Sequence, residues 1–586
     1  MPKVLEPLNR QKGNRLKNVA TFDIETTEGV SDKFEMLGFY DGIEGIIFDS
    51  VRAFLDAVLV KRYRSFAFYA HNAERFDFKF LIGEFLKMEI GENQIRAANG
   101  KILFIKFFQA GERIREIYLC DANRNTWRFV DSFWLMPTSL KKITTSFKVA
   151  SPKGEIDYAQ ISIKDPVSRA YCLNDCKGLY ESLFAYFNQK IFNGLKPKGT
   201  IASNAMQIYR AGMKQPLKGI NHEQEQFIRH AYFGGRVEIF RTHGRALNCY
   251  DFNSLYPSVM VDSEYPTGLP AWVDRYEQGA MGFYWASINM PDDIGIPPLP
   301  VVRNGKLVFP VGQFSGHFSS CELDCALRLG ATVKVKRGLV FLHTEKIFTK
   351  YVKELYALKA KADKESADYM IAKLYLNGLY GKFGQRREQC SIIRCDSDYA
   401  AEKGLTPYLP DFGLYLQKQQ SRGAYIMPNI AAWVTAQARL KLYSVLDNNS
   451  YYCDTDSIFT PNQLPCSDID LGALKFEKRI EQAYFLLPKV YYLKLERGLE
   501  QVKAKGFGKD FLKSVGEQEF KRALKGDLSG FKTSRYQLLG TKDSIRRFGK
   551  VPVMADVKKS LHHTYAKRIV LSDGRTKPLV LCEPVI

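Results

Sequence analysis

Apolar and polar positions follow two rhythms along this chain, and the places where the rhythm changes mark out its elements. The segment Val19–Thr26, VATFDIET, predicts a strand entering a turn, and 65–71 predicts a second strand. Over 170–188, Tyr171, Asp175, Leu179 and Leu183 recur at every fourth position, the spacing of one helix face. The strongest helical signal runs from 351 to 383 and is rich in Ala, Leu and Lys; a turn around 361–366 could divide it into two antiparallel helices. Residues 428–446 predict another helix, and 450–459 a strand–turn–strand. The Pro/Gly-rich, aromatic stretches 268–316 and 384–423 predict irregular or β inserts. Within the second, 391–394 and 414–418 read as strands flanking a Gly/Pro-rich tip, a hairpin-like flap with Arg386, Arg387, Lys418 and Arg422 at its ends. There are no repeats and no heptads, and the mixed order predicts an α+β multidomain enzyme.

Composition narrows the class. A chain of 586 residues exceeds a single core. The net charge is +22, and half of that excess lies in 501–586, where 19 Lys+Arg face 8 Asp+Glu. Such a balance favours a polyanionic partner, although a merely soluble basic enzyme would also carry it. No apolar run is long enough for a membrane span, and the basic segment 1–20 lacks the apolar core of a secretory signal. The eleven cysteines form no CxxC, so reduced thiols in a cytoplasmic, non-secreted protein are expected, without zinc or disulfides.

Four acids stand in suggestive settings: Asp23 and Glu25 in TFDIETT, Asp77 in HNAERFDFKFL and Asp175 in YCLND. Strand alternation points Asp23 and Glu25 to one face, and Tyr171 lies one helical turn before Asp175. Each acid alone reads as a solvated or capping carboxylate. Together they supply the hard oxygens that two Mg²⁺ ions need for phosphodiester hydrolysis. The set resembles the three exonuclease motifs of proofreading DNA polymerases, DxE, Nx2-3(F/Y)D and Yx3D. The resemblance implies a 3′→5′ exonuclease with an RNase H-like fold. Asp23, Glu25, Asp77 and Asp175 would be metal ligands, and Tyr171 would orient the attacking water. Thr26, His71, Asn72 and Phe76 would hold the single-stranded 3′ end. The stretch DSFWLMPTSLKKITTSFKVASPKGEIDY resembles the protein-primed subgroup, in which Ser132 and Phe133 would touch the frayed strand and Lys153 would assist catalysis. Phe133 stands where that subgroup has Leu.

Three further motifs follow: YDFNSLYPSVM with Asp251, KLYLNGLYGKF with Lys373 and Asn377, and YYCDTDSIF with Asp454 and Asp456. Nucleotidyl transfer unites them, since two Mg²⁺ ions roughly 3.5–4 Å apart need carboxylates from separate strands, and a triphosphate needs a cation. Asp454 and Asp456 are expected on one strand face. Lys373, Asn377 and Tyr380, at i, i+4 and i+7, are expected as one helix stripe; a packed helix with a snorkelling lysine is the plainer reading. The motifs resemble Dx2SLYP, Kx3NSxYG and YxDTDS of family B DNA polymerases, with Gly378 in place of the usual Ser. The resemblance implies a right-hand polymerase with two Mg²⁺ per active site, for which Mn²⁺ may substitute. Asp251, Asp456 and the Phe252 carbonyl would be ligands, supported by Asp454. Ser254, Leu255, Tyr256, Lys361, Lys373, Asn377 and Tyr380 would contact the dNTP, with Tyr256 excluding a 2′-hydroxyl. Smaller elements resemble YxGG (Tyr232, Gly234, Gly235), Tx2(A/G)R (Thr435, Arg439) and KxY (Lys489, Tyr491). These residues, with Lys503, would contact DNA.

From Asp251 to Lys373 is 122 positions and from Gly381 to Asp454 is 73, more than a palm and its fingers require. The excess resembles the two insertions of phi-29-like, protein-primed polymerases. The implied division is exonuclease 1–190, palm 191–262, first insertion 263–350, fingers 351–384, second insertion 385–422, palm 423–510 and thumb 511–586. The first insertion would contact a terminal protein and DNA, and the second would give processivity and strand displacement. The expectation is a monomer, acting on template–primer DNA and dNTPs with a terminal protein, in a bacterial or archaeal host. A mobile-element polymerase that starts without a protein primer remains an alternative. So does a non-catalytic nucleic-acid-binding protein, although all seven key acids are intact.

Overall fold

The computed structural model describes residues 3–9, 18–27, 30–88, 96–97, 100–192, 194–421, 423–562 and 565–583; Arg422 lies outside the described residues. Val19–Thr26 is a strand, as its pattern predicts, and it buries nearly every residue because both of its faces are covered. It pairs antiparallel with Phe34–Tyr40 and parallel with Ala67–Ala70, and the sheet continues through Thr126–Asp131, Arg113–Asp121 and Gly100–Ala110. Phe22, Phe39, Phe54, Phe68 and Phe129 fill the space on one side. The helix Pro166–Phe187 packs against Val19–Thr26, started by Pro166 and by the Asp165 carboxylate, which accepts from the Val167 and Ser168 amides.

The second insertion holds the two predicted strands, Glu388–Arg394 and Leu414–Gln420, paired antiparallel. Its tip is more than a turn, for it holds a short helix, Ser397–Glu402, and a third strand, Thr406–Leu409. Nor does it stand alone. Ser391–Arg394 pair with Phe108–Ile105, so the hairpin extends the N-terminal sheet. Local alternation cannot reveal a partner strand that lies nearly 300 residues earlier.

A second, antiparallel sheet of seven strands includes His243–Phe252 at its centre, flanked by Ser457–Thr460 and Leu474–Leu487. The first insertion folds as a third sheet, in the order Tyr265–Val273, Thr332–Glu345, Met281–Met290, Val311–Ser319. The predicted helix pair is present as Thr349–Lys361 and Ala367–Gly378, followed by the short Tyr380–Phe383. Gly378 has a packing reason, since a Cβ there would lie 3.0 Å from Ile201. One apolar core joins Leu179, Leu183 and Tyr186 to Tyr375 and Trp433, and the Tyr186 and Tyr375 hydroxyls meet at 2.6 Å.

The segment 511–586, expected as a thumb, falls into parts that pack in different places. The helix Glu517–Leu524 packs on the strand Leu474–Leu487, and Lys532–Leu538 and Met554–Ser560 form a hairpin. From Tyr565 the chain turns back, because that ring is buried and its hydroxyl accepts from the Ile239 amide at 2.9 Å. Arg568 is buried against Glu238, Thr576 donates to the Ile239 carbonyl at 2.9 Å, and Val580–Cys582 adds a parallel strand to Val311–Gln313. The helix Thr541–Phe548 seats Ile545 in the N-terminal core and sets Lys542 and Arg546 over Tyr408 in the tip of the second insertion. Among the described residues, no helix is long and apolar enough to cross a membrane.

Candidate active sites

Asp23, Glu25, Asp77 and Asp175 converge at one end of the N-terminal sheet. Asp77 opens the helix Asp77–Lys87 and accepts from the Ile24 amide at 3.0 Å, locking it beside Asp23 and Glu25. Burial, then the Asp175 charge, pushes Asp23 up to about 7; burial, then Asp23, pushes Glu25 up to about 9. Asp77 and Asp175 are also raised, chiefly by burial. A cation beside these four carboxylates would favour their charged forms. Lys153 is the protein's own cation here: it ion-pairs with Asp175 and donates to the Tyr171 hydroxyl at 2.8 Å. Burial opposes its charge, but Asp23 and Asp175 outweigh that and hold its pKa above the ordinary range.

Other residues expected at the strand are engaged within the protein. Ser132 is fully buried and bonds the Ala70 carbonyl and His71 Nδ1, while His71 Nε2 meets the Thr138 carbonyl at 2.7 Å. Burial keeps His71 down at about 4, hence neutral, with both ring nitrogens committed to protein. Thr26 is buried as well. None of the three thus offers a free polar side chain to a strand. The adjoining cleft, about 480 Å³, is lined by Asn72, Phe133, Lys153 and the faces of His71 and Leu140. Phe76 packs edge-on to Phe80 at 5.4 Å. Sequence reasoning passed over Cys172, which offers a ligand atom within 4.8 Å of those of Asp23 and Glu25; its adjacency to Tyr171 was the available signal.

The second cluster forms where strand His243–Phe252 lies against Ser457–Thr460. Asp251 pairs with Ser457, and the Phe252 amide donates to the Asp456 carbonyl at 2.7 Å. Asp454 and Asp456 do not share a strand face. Asp454 ends Tyr452–Asp454, and Thr455 takes φ 66°, so Asp456 sits in the turn. The left-handed residue swings Asp456 towards Asp251, which burial and then Asp456 push up to about 7, whereas Asp454 ion-pairs with Lys489. A Cβ on Gly235 would come within 2.7 Å of Thr455, and the Arg236 carbonyl accepts the Thr455 amide, so the YFGG element props the acidic turn.

The stripe divides. Lys373 and Asn377 line an 850 Å³ cleft with Arg115, Lys382, Arg386 and Trp134, while Tyr380 leaves it and stacks on Tyr256 at 4.5 Å and 14°. Burial, then Arg115, lowers Lys382 to about 8. Lys361 is exposed at the end of its helix. The lysine that reaches the cluster from that helix is Lys359, missed in the sequence, which donates to Ser254 Oγ at 2.9 Å and is lowered by burial and then by Lys373. Leu255 turns into the core. Thr435 and Arg439, expected to touch template, are buried. Arg439 is held by Glu322 and donates to the Phe233 and Gly234 carbonyls, each at 2.9 Å. Tyr232 packs against Gly384, and Gly234 has open space around it. Tyr491 is a core residue, with Lys503 5.5 Å above its ring. Arg387 is bound to the buried Glu225 at 2.5 Å rather than free for phosphates.

The family model of organellar and viral type B DNA polymerases matches residues 60–169 and 165–408. A "Probable DNA polymerase" of Neurospora intermedia is 26% identical over 77% of this chain and 54% of its own length; one of Ascobolus immersus is 24% identical over 83% and 46%. The chain thus spans about half the length of these curated relatives. The DNA polymerase of Bacillus phage phi29 is 24% identical over 62% of this chain and 66% of its own. The solved structure of phi29 DNA polymerase with primer-template DNA and incoming nucleotide superposes with TM-score 0.73 at 20% identity, over 93% of this chain and all of the other. That likeness shows the fold, which is α+β and multidomain. With a family model covering more than half of its length, the chain belongs to the type B DNA polymerases of organelles and viruses.

Proposed function

We propose that the chain is a DNA-directed DNA polymerase with a 3′→5′ proofreading exonuclease, primed by a terminal protein. The observation that carries the reading is the pair of separate carboxylate clusters, one on each main sheet. Both fit divalent cations. Their donors are hard oxygens, they are buried or half-buried, and neighbouring acids within each cluster raise one another's pKa. Bound Mg²⁺ or Mn²⁺, two at each site, would activate the attacking oxygen and stabilise the leaving one. At the N-terminal site Asp23, Glu25, Asp77 and Asp175 would hold the ions, and Tyr171 with Lys153 would orient the water. At the second site the ligands would be Asp251, Asp456 and the Phe252 carbonyl. Asp454 supports them through Lys489. Lys373 and Lys359 would neutralise the triphosphate, and Tyr256 would fill the space of a 2′-hydroxyl. The cationic cleft of Arg115, Lys382 and Arg386 suits a template strand. The seam between Tyr408 and the helix Thr541–Phe548 suits a closure around the duplex.

Asp251→Ala and Asp456→Ala should each abolish primer extension and spare single-strand degradation, while Asp23→Ala with Asp77→Ala should do the reverse. Loss of both activities in a folded variant would refute the two-site assignment. Priming is tested with labelled dATP, template and candidate terminal protein: a protein–nucleotide adduct supports it. Extension without any adduct favours the second reading, a mobile-element polymerase that needs no protein primer.

A further inference from the structure

In the first insertion, Tyr284, Ala286, Ile288 and Met290 fill a core of their own, so Trp285, Ser287 and Asn289 face the other way. Strand register sets His317, Ser315 and Gln313 opposite them on one side, and on the other sets Arg337 beside Trp285 and Lys334 beside Ser287. Trp285 is 37% exposed, and its ring lies parallel to His317, at 7° and 6.0 Å between centroids. His317 in turn meets Phe227 at 4.8 Å, and Phe227 meets Trp272 at 5.2 Å, with the Arg337 guanidinium 3.5 Å from the Trp272 ring centre. The result is a run of touching rings, Trp285 and His317 parallel and Phe227 and Trp272 set edge-on at 74° and 81°, with polar side chains beside it and two exposed cations at its margin. Two acids beside it are held in ion pairs, Glu223 by Arg337 and Glu583 by Arg303.

A shielding role for Trp285 would account for a buried ring. It does not account for an exposed ring laid parallel to a neighbour and bordered by cations, the combination that takes an unstacked base and its phosphates. Location agrees. The helix His222–Arg229 carries Phe227 to this surface, and Arg229 at its end donates to the Gly384 and Gln385 carbonyls, where the second insertion leaves the fingers. A strand emerging at that root has the aromatic face beside it.

We propose that this face, centred on Trp285 and His317, binds unpaired single-stranded DNA outside the active site, with a base stacked on Trp285 and a phosphate at Lys334. The proposal rests on the polymerase reading. Its test is binding of the full chain, in EDTA and without dNTP, to two primer–templates that differ only in the 5′ template overhang, one of two and one of twenty nucleotides. The long overhang should bind the wild type more tightly. Trp285→Ala should lose about 5- to 150-fold of that advantage, and Trp285→Phe should keep most of it. A 5-iodouracil-substituted overhang should crosslink at Trp285 or His317. An overhang advantage undiminished in Trp285→Ala would overturn the proposal. So would an equal loss on both substrates, which would mark the face as a duplex site, or crosslinks confined to other segments. Primer extension measured in parallel on short-overhang substrate separates this failure from that of the polymerase reading, because Trp285→Ala should extend it normally.

Discussion

The buried Arg439–Glu322 pair yields the sharpest quantitative expectation. It ties the helix Pro428–Tyr443 to the first insertion and, through the Phe233 and Gly234 carbonyls, to the YFGG element behind the acidic turn. The two side chains are 2% and 0% exposed. Glu322→Leu would leave a guanidinium uncompensated in the interior, at a cost of about 3–5 kcal/mol. Arg439→Met would strand Glu322 and both carbonyls at a similar cost. In the double variant both charges are gone and mainly the lost carbonyl bonds remain, about 1–3 kcal/mol. The two changes should therefore be non-additive by at least about 2 kcal/mol. A chain of several domains does not unfold in two states, so the readout is amide hydrogen exchange in 232–236, 320–328 and 428–443. Either single change should speed exchange there by about two to three and a half orders of magnitude, with partial recovery in the double variant. If exchange is unchanged and Arg439→Met only weakens DNA binding, with a salt dependence smaller by one phosphate contact, the residue touches template and the bracing role is wrong.

Tyr256→Val removes one half of a stacked pair and opens the space claimed for a 2′-hydroxyl. Discrimination against ribonucleotides should fall by about 5- to 150-fold, the scale of relieving 1–3 kcal/mol of overpacking, and an unchanged ratio would place the ring elsewhere. Lys359→Ala should lower kcat/KM for dNTP by about 10- to 150-fold, as for a lost hydrogen bond to a charged group, without changing exonuclease rates; an effect confined to stability would refute the assignment. Replacing 388–420 by a short Gly/Ser linker should shorten products under a polymerase trap and abolish strand displacement, leaving single-nucleotide addition nearly normal. The same deletion uncovers the edge of Gly100–Ala110, so the N-terminal domain should also aggregate more readily; full-length displacement products at wild-type rates would sink the idea.

The seven acids were legible because their chemistry imposes local spacing: a strand dipeptide, a helix turn, a tight turn. What the sequence concealed depended on packing across long separations. Ser132 and His71 look like donors for DNA, yet the Ala70 and Thr138 carbonyls claim them. Arg439 looks like a phosphate contact until Glu322, more than a hundred residues away, is folded beside it. Lys359 and Lys361 are equally plausible on paper, and only the helix phase and the position of Ser254 decide between them. The Asp454–Asp456 pair misled because a period-two rule was applied across a residue that breaks the strand.

The strand Val580–Cys582 also bears on the order in which the chain can become itself. It closes the edge of Val311–Ser319, a partner finished roughly 260 residues earlier. On a ribosome adding about 5–20 residues per second, that edge would stand open for about 15–50 seconds while the residues between them emerge. An exposed strand edge invites the wrong neighbour. The sheet of the first insertion is thus among the last parts to be sealed, and a chain whose synthesis stops short of residue 580 carries both clusters of acids together with an unguarded edge.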